Sequence, residues 1–441
     1  MRPEESCGLP FARHPLSRRI TLAQPALSPV TSIAEAPRII WPLLALALGS
    51  FGIGTTEFVS MGLLPDIARG IGTSIPVTGH VISAYALGVV VGAPVFAGLG
   101  VKMRRRTLLI ALMVMFTIGN TLTAFATGYN TLLAARFLAG LPHGAYFGVA
   151  SVVAAALAGP TRRAWAVARV LLGLTVANVV GVPAATWLGQ ALGWRSAFIA
   201  VGCIGLLTML ALFRWLPSVP ADAGSSLRSE VRALGRTQIW LTLGIAAIGF
   251  GGMFAVYSYI SPTLTNLAGM SAAKVPLVLA VWGVGMVAGN LAGGWLADRG
   301  AMRAMAIALV ATAASLALFT VTSSNAISAT ATAFLLGSGL AIAPALQLRL
   351  MDLAPDAQSL TAALMHSAFN AANAIGPWLG GMVLAAGFGW RAPAWVGVAL
   401  AVAGLAILGA SALLQRATNR RTADVAALPE SEPEFERATA A

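Results

Sequence analysis

The chain has 441 residues, is 58% hydrophobic and only 10% charged, and has a mean hydropathy of +0.81. A soluble domain carries about 25% charged residues, so this composition excludes one and reads as an integral membrane protein. The net charge of +13 would suit a nucleic-acid binder. The basic residues, however, are scattered over short loops and never form a dense stripe with interleaved aromatics, so no nucleic-acid partner is expected.

Residues 1–38 are polar and proline-dotted, with no apolar core of a signal peptide. They read either as a disordered cytoplasmic extension or as a start placed too far upstream. Apolar runs of spanning length then recur at about 39–62, 79–99, 107–127, 131–157, 166–189 and 196–216. A second set lies at about 239–261, 276–296, 303–322, 327–350, 361–387 and 393–415. A spanning helix needs roughly 20 mostly apolar residues, so the expectation is an all-α membrane protein of twelve transmembrane helices. The polar linker 217–238 divides it into a six-helix domain at 39–216 and another at 239–415. The tail, 416–441, is polar, carries Glu430, Glu432, Glu434 and Glu436, and is expected to be disordered. Two cysteines, Cys7 and Cys203, cannot build a disulfide framework, and Cys203 is read as packing.

Lys and Arg fix the expected orientation. Counted over alternate segments, 23 fall on the side of the two termini and the linker. The opposite side holds four (Arg69, Arg195, Lys274 and Arg391), and Arg136 lies inside a span. By the positive-inside rule both termini and the linker are cytoplasmic. The halves also repeat each other. Gly98 maps onto Gly294, and the Gly-Trp-Arg ending at Arg195 onto that ending at Arg391, both at an offset of 196. Asn178 and Gly181 map onto Asn373 and Gly376 at 195. Two parallel six-helix repeats are one architecture of secondary transporters.

Within the spans one carboxylate stands alone, Glu57, in FGIGTTEFVSMGLLPDIAR at 51–69. A carboxylate in hydrocarbon is costly unless paired, protonated or facing water. Glu57 is therefore the first candidate for function. The fourth run, RFLAGLPHGAYFGV, places Arg136, Gly140, His143 and Phe147 on one helical stripe, with Gly140, Gly144 and Gly148 as a close-packing face. Arg136 lies about 7 Å inside the outer end of its helix, a depth at which it can meet Glu57. The functional reading is that Glu57 takes up and releases a coupling proton and Arg136 tunes its affinity; the alternatives are a static ion pair or a Glu57 that reaches the outer interface. His143 is a candidate relay or substrate contact, or else a packing histidine. His80 and His366 are read as structural.

The fifth run carries small residues at Gly173, Ala177, Gly181, Ala185 and Gly189, with Pro183 among them. The eleventh repeats the device around Gly376 and Pro377. These faces pack backbones closely and place a bend near the bundle axis, so Gly173, Gly181 and Pro183 are candidate gating positions. Polar or aromatic residues at membrane depth nominate a substrate cavity of Thr56, Tyr85, Asn120, His143, Tyr146, Asn178, Tyr257, Asn290, Asn370 and Asn373. Each could instead be an interhelical hydrogen bond. No His/Cys/Asp/Glu spacing suggests a metal, no phosphate-cradling GxxxxGK[ST] occurs, and no cofactor is expected.

The loop after the eighth run, GGWLADRGAMR, resembles the major facilitator signature G-x-L-A-D-R-x-G, spanning Gly294 to Arg303 with Asp298 as its acid, Arg299 beside it and its second glycine one place early at Gly300. The first-half copy, GLGVKMRRR, departs from it, with Lys102 where the family has an acid. The chain is most similar to AraJ-type arabinose-efflux permeases of the drug/proton antiporter group. That similarity rests on FGIGTTEF at 51–58, SIPVTGHVISAYALGVVVGAPV at 74–95, PHGAYFGV at 142–149 and TVANVVGVP at 175–183. The resemblance implies the major facilitator fold and alternating access, with Gly294, Asp298 and Arg299 as cytoplasmic gating residues. It also implies proton-coupled efflux of a small organic solute, a sugar such as arabinose or an amphiphilic drug, by a monomer in a bacterial inner membrane. A proton-coupled importer, an uncoupled facilitator and, less readily, an integral-membrane enzyme remain the alternatives.

Overall fold

The computed structural model describes residues 36–99, 103–159, 162–218, 234–355 and 358–426, of which Arg38–Ala426 belong to one compact unit. Lys102, Cys7, the extension before Ala36, most of the linker and the acidic tail lie outside the described residues. Among the described residues all regular structure is helical. Six helices of the first half are long and apolar enough to cross a membrane: α1 (Ile39–Gly62), α2 (Ile75–Phe96), α3 (Arg105–Ala124), α4 (Tyr129–Ala158), α5 (Trp165–Leu192) and α6 (Trp194–Trp215). Five more follow: α7 (Thr237–Ser258), α8 (Ala272–Ala297), α9 (Ala301–Thr322), α10 (Ala326–Leu353) and, after a gap, α12 (Ala392–Arg420). The helix Gln358–Ala385, α11, occupies the remaining expected position.

The regular α-helical pattern is interrupted beside prolines in α4, α10 and α5, and without one in α7. In α4 the helix ends at Gly140 and restarts at His143, around Pro142, which has no backbone N–H to donate. In α10 a 3₁₀ turn at Ser338–Ala341 interrupts the corresponding place and ends three residues before Pro344. In α5 a π-turn at Ala177–Gly181 ends two residues before Pro183, and α7 carries another at Ile245–Gly249.

The internal repeat is written into backbone packing. In the first half, Gly140 lies against the Tyr85 carbonyl, Gly88 against that of Phe137 and Gly92 against that of Leu141, joining α2 to α4. In the second, Gly337 meets the Trp282 carbonyl, Gly285 that of Phe334 and Gly289 that of Ser338, joining α8 to α10. All six positions correspond at an offset of 197. Glycine permits these approaches because a Cβ would occupy the carbonyl's space. Gly140→Val should therefore destabilise the first half by at least about 2 kcal/mol. A thermal melt in detergent checks this, with a drop of several degrees as the expected result.

Large apolar side chains face outward around the bundle, including Phe213, Leu291 and Val321. In water such a surface would aggregate; in a bilayer it is the lipid contact. Cys203, expected to pack internally, is instead exposed on this perimeter. The last helix extends to Ala426, beyond the expected end at 415. Its added residues include good helix formers such as alanine and arginine.

Candidate functional site

The two halves meet along α2 and α11, α5 and α8, and α1 and α7. The contacts cluster towards the end of the bundle that carries Asp66, hereafter the Asp66 end. Ser83 Oγ of α2 donates to the Ala374 carbonyl of α11 at 2.9 Å, and Gln190 Nε2 of α5 donates to the Ala272 carbonyl at 3.0 Å. Phe58 of α1 stacks on Phe254 at 6.2 Å between ring centroids and meets Tyr257 edge-on at 5.7 Å. Met61, Leu64, Ile82 and Val182 belong to the same apolar cluster as Phe254, Tyr257 and Leu279 of the second half. Where α5 crosses α8, Gly283 lies against the Asn178 carbonyl.

Glu57 sits in this seam and is 6% exposed. Its Oε1 accepts a 3.4 Å hydrogen bond from Asn373 Nδ2 of the opposite half. The static ion pair with Arg136 weighed as an alternative is not formed; among the described residues the one salt bridge joins Asp66 and Arg69. Arg136 is fully buried and turned to the backbone beside Glu57 instead. Its Nη1 donates to Thr56 Oγ1 and its Nη2 to the Thr56 carbonyl, each at 3.0 Å. The guanidinium lies over the Tyr85 ring at 4.3 Å and that of Phe198 at 5.4 Å. A planar cation between two aromatic faces, with both terminal nitrogens engaged, is a rigid support. Arg136→Lys keeps the charge but can hold only part of that fork. It should lower stability by roughly 2 kcal/mol, again read as a shift in the detergent melt.

The remaining candidates divide by location. Thr56 donates to Asn120 Oδ1, and Asn120 Nδ2 donates to the Phe116 carbonyl at 2.9 Å, so both belong to the support of Arg136. The Tyr85 hydroxyl and His143 Nδ1 are 3.0 Å apart. The Tyr146 hydroxyl donates to the Leu46 carbonyl at 2.9 Å and ties α4 to α1. Tyr257 stacks on Trp282 at 4.6 Å. Asn178 and Asn370 bond their own helices through Nδ2, to the Leu174 and His366 carbonyls, which leaves the buried Oδ1 of each without a partner. Asn290 is exposed and joins none of these networks.

Sequence reasoning passed over two groups. His366, read as structural, stacks on Phe147 at 5.3 Å and approaches His143 at 6.3 Å, so it bridges α11 to α4. Ser83 and Gly283 carry contacts between the halves, yet a serine and a glycine inside apolar runs give no signal of which surface they face. His80, by contrast, bonds Tyr129 at 2.7 Å as a local clasp.

The proposed gating residues also separate. Gly173 lies against the Ala47 carbonyl, and Gly181 against Thr55 and Phe51, so both pack α5 onto α1 within one half. Pro183 follows the π-turn. Gly294 has open space around it, Asp298 is exposed, and Arg299 donates to the Trp295 carbonyl at 2.7 Å with its guanidinium over the Trp295 ring. Among the described residues Asp298 forms no ion pair.

Two parallel six-helix repeats that meet within the membrane-spanning region are an architecture of secondary transporters. The Major Facilitator Superfamily profile matches residues 46–359 and 243–435. The chain is 43% identical over 375 residues to the inner membrane transport protein YdhP of Escherichia coli K12, covering 84% of this chain and 95% of that one. It is 32% identical over 388 residues to the putative transporter AraJ of the same strain, with 88% and 98% covered. It is 30% identical over 368 residues to a chloramphenicol resistance protein of Streptomyces lividans, with 82% and 94% covered. In fold it resembles a bacterial homologue of the lysosomal transporter Spinster, at TM-score 0.69 and 18% identity, over 86% of this chain and 96% of that one. The chain belongs to the major facilitator superfamily: it is a multi-pass membrane transporter, not an enzyme.

Proposed function

We propose that the protein exports a small organic solute in exchange for protons across a bacterial inner membrane, with Glu57 as the proton-carrying group. The observation that carries this reading is a buried carboxylate in the seam between two repeats, with no cation in ion-pair contact. Alternating access moves that seam between water and protein, so Glu57 changes solvent twice per cycle. A group whose charge is tolerated in one state and costly in the other couples proton binding to the conformational equilibrium.

The positive-inside count puts both termini in the cytoplasm, which makes the Asp66 end the outer one and the described conformation closed on that side. The working units are the six-helix domains 39–216 and 239–415, acting as a monomer. His143, Asn178, Tyr257, Asn290 and Asn370 are the proposed solute contacts, and Asp298 and Arg299 the proposed inner gate. A relative named for chloramphenicol resistance supports export of a drug-like solute, and one named as an inner membrane transport protein supports the membrane; a sugar such as arabinose is the second solute class proposed.

Inverted membrane vesicles with an acid interior test the reading. Arabinose, chloramphenicol and a lipophilic cation would be added in turn while the gradient is followed. Substrate-evoked collapse of the gradient by one of them is the expected result. Solute flux indifferent to the gradient would replace the exchanger with a facilitator.

A further inference from the structure

The hydrogen bond between Glu57 and Asn373 crosses from one half to the other and has an unused side. Asn373 Nδ2 donates to Glu57 Oε1, while Asn373 Oδ1 is buried with no partner. An ionised carboxylate can only accept, so it leaves that buried amide oxygen unsatisfied, which is unfavourable. A protonated Glu57 would satisfy both atoms at once, with Oε2–H donating to Asn373 Oδ1 and Oε1 still accepting from Nδ2.

We propose that Asn373 is a positioning residue that reads the protonation of Glu57, so that the carrier closes at the Asp66 end when Glu57 holds a proton. This rests on the proton-coupled reading above and adds the partner through which the proton acts. The balance is simple: one proton from water at the Asp66 end becomes the O–H of a closed acid–amide pair, and it leaves when the pair parts.

The surroundings agree with a latch at this point. Ser83 bonds the Ala374 carbonyl, one residue beyond Asn373, so α11 is gripped twice by the first half within two residues. Phe58, next to Glu57, is stacked on Phe254, which keeps the pair out of water. The titratable groups facing Glu57 are Arg136 from α4, Tyr85 from α2 and Tyr257 from α7. Arg136 has both terminal nitrogens on Thr56, and neither tyrosine hydrogen-bonds the carboxylate among the described residues. At this level α11 presents the neutral Asn373. Asn373 is thus the group best placed to distinguish the acid from its anion.

The full-length protein in lipid nanodiscs, with Cys7→Ser and Cys203→Ser, can carry spin labels at Asn130→Cys and Ser324→Cys, two exposed positions near the Asp66 end on opposite halves. The closed fraction of the otherwise wild-type protein should rise about tenfold relative to the open one as pH falls through two units. Asn373→Leu should flatten this to less than about twofold, and Asn373→Ser serves the same purpose with a smaller side chain should Leu impair folding. In the absence of solute, Glu57→Gln should stay closed at every pH, because its amide both donates and accepts. A response lost in Glu57→Gln but intact in both Asn373 variants would overturn the latch and leave proton coupling standing. No response in any protein would overturn both.

Discussion

Glu57→Gln is expected to cut proton-driven transport at least about 100-fold while leaving downhill solute exchange within a few-fold of wild type. The amide is nearly the size of the acid, cannot ionise and still meets Asn373, so it mimics the proton-loaded carrier. A carrier fixed in that form can still change shape with solute aboard, but it has nothing to exchange. Uptake into everted vesicles with and without an imposed gradient separates the two activities. Glu57→Asp, which draws the carboxyl back by one methylene, should retain part of the driven transport. Equal loss of driven and exchange transport in Glu57→Gln would mean a structural carboxylate.

Gly283→Val should hold the two halves apart at the Asp66 end. A Cβ at Gly283 would fall on the Asn178 carbonyl and the Val179 nitrogen, backbone of the π-turn in α5. Backbone in a packed helix cannot move aside as a flexible side chain can, and the three atoms nearest that Cβ all belong to the other half. Each half should therefore fold, while the equilibrium shifts towards the state open at that end by at least about tenfold, roughly 1.4 kcal/mol. A buried reporter cysteine, Ser83→Cys in a Cys7→Ser, Cys203→Ser background, measures this through its rate of reaction with a membrane-impermeant thiol reagent. An unchanged rate would show that α5 and α8 accommodate the valine without parting.

Much of this was legible in the sequence because a bilayer imposes so simple a code. Spanning length and the offset between halves were enough for the all-helical class, for the eleven helices long and apolar enough to cross a membrane among the described residues, and for the repeat. Glu57 stood out because a lone acid in an apolar run is costly unless it is paired, protonated or facing water. What the sequence could not supply was partnership. Arg136 and Glu57 lie at compatible depths, but depth says nothing of the fork that commits the guanidinium to Thr56. Asn373 looked like any other asparagine at membrane depth, and its neighbour across the seam is 316 positions away. Gly173 and Gly181 attracted notice as a regular stripe, yet they pack within one half, whereas Gly283 bears on the interface. Small residues mark close approach without naming what approaches. The helical extension of α12 was missed for another reason: polar residues ended the hydropathy signal before they ended the helix.

The measurement closest to the central claim is the number of protons released when purified protein in weakly buffered detergent solution binds the solute found in the vesicle screen. The account predicts release approaching about one proton per solute for the wild type and none for Glu57→Gln, since binding and protonation are reciprocal. Equal release from both proteins would contradict it and place the exchanged proton elsewhere.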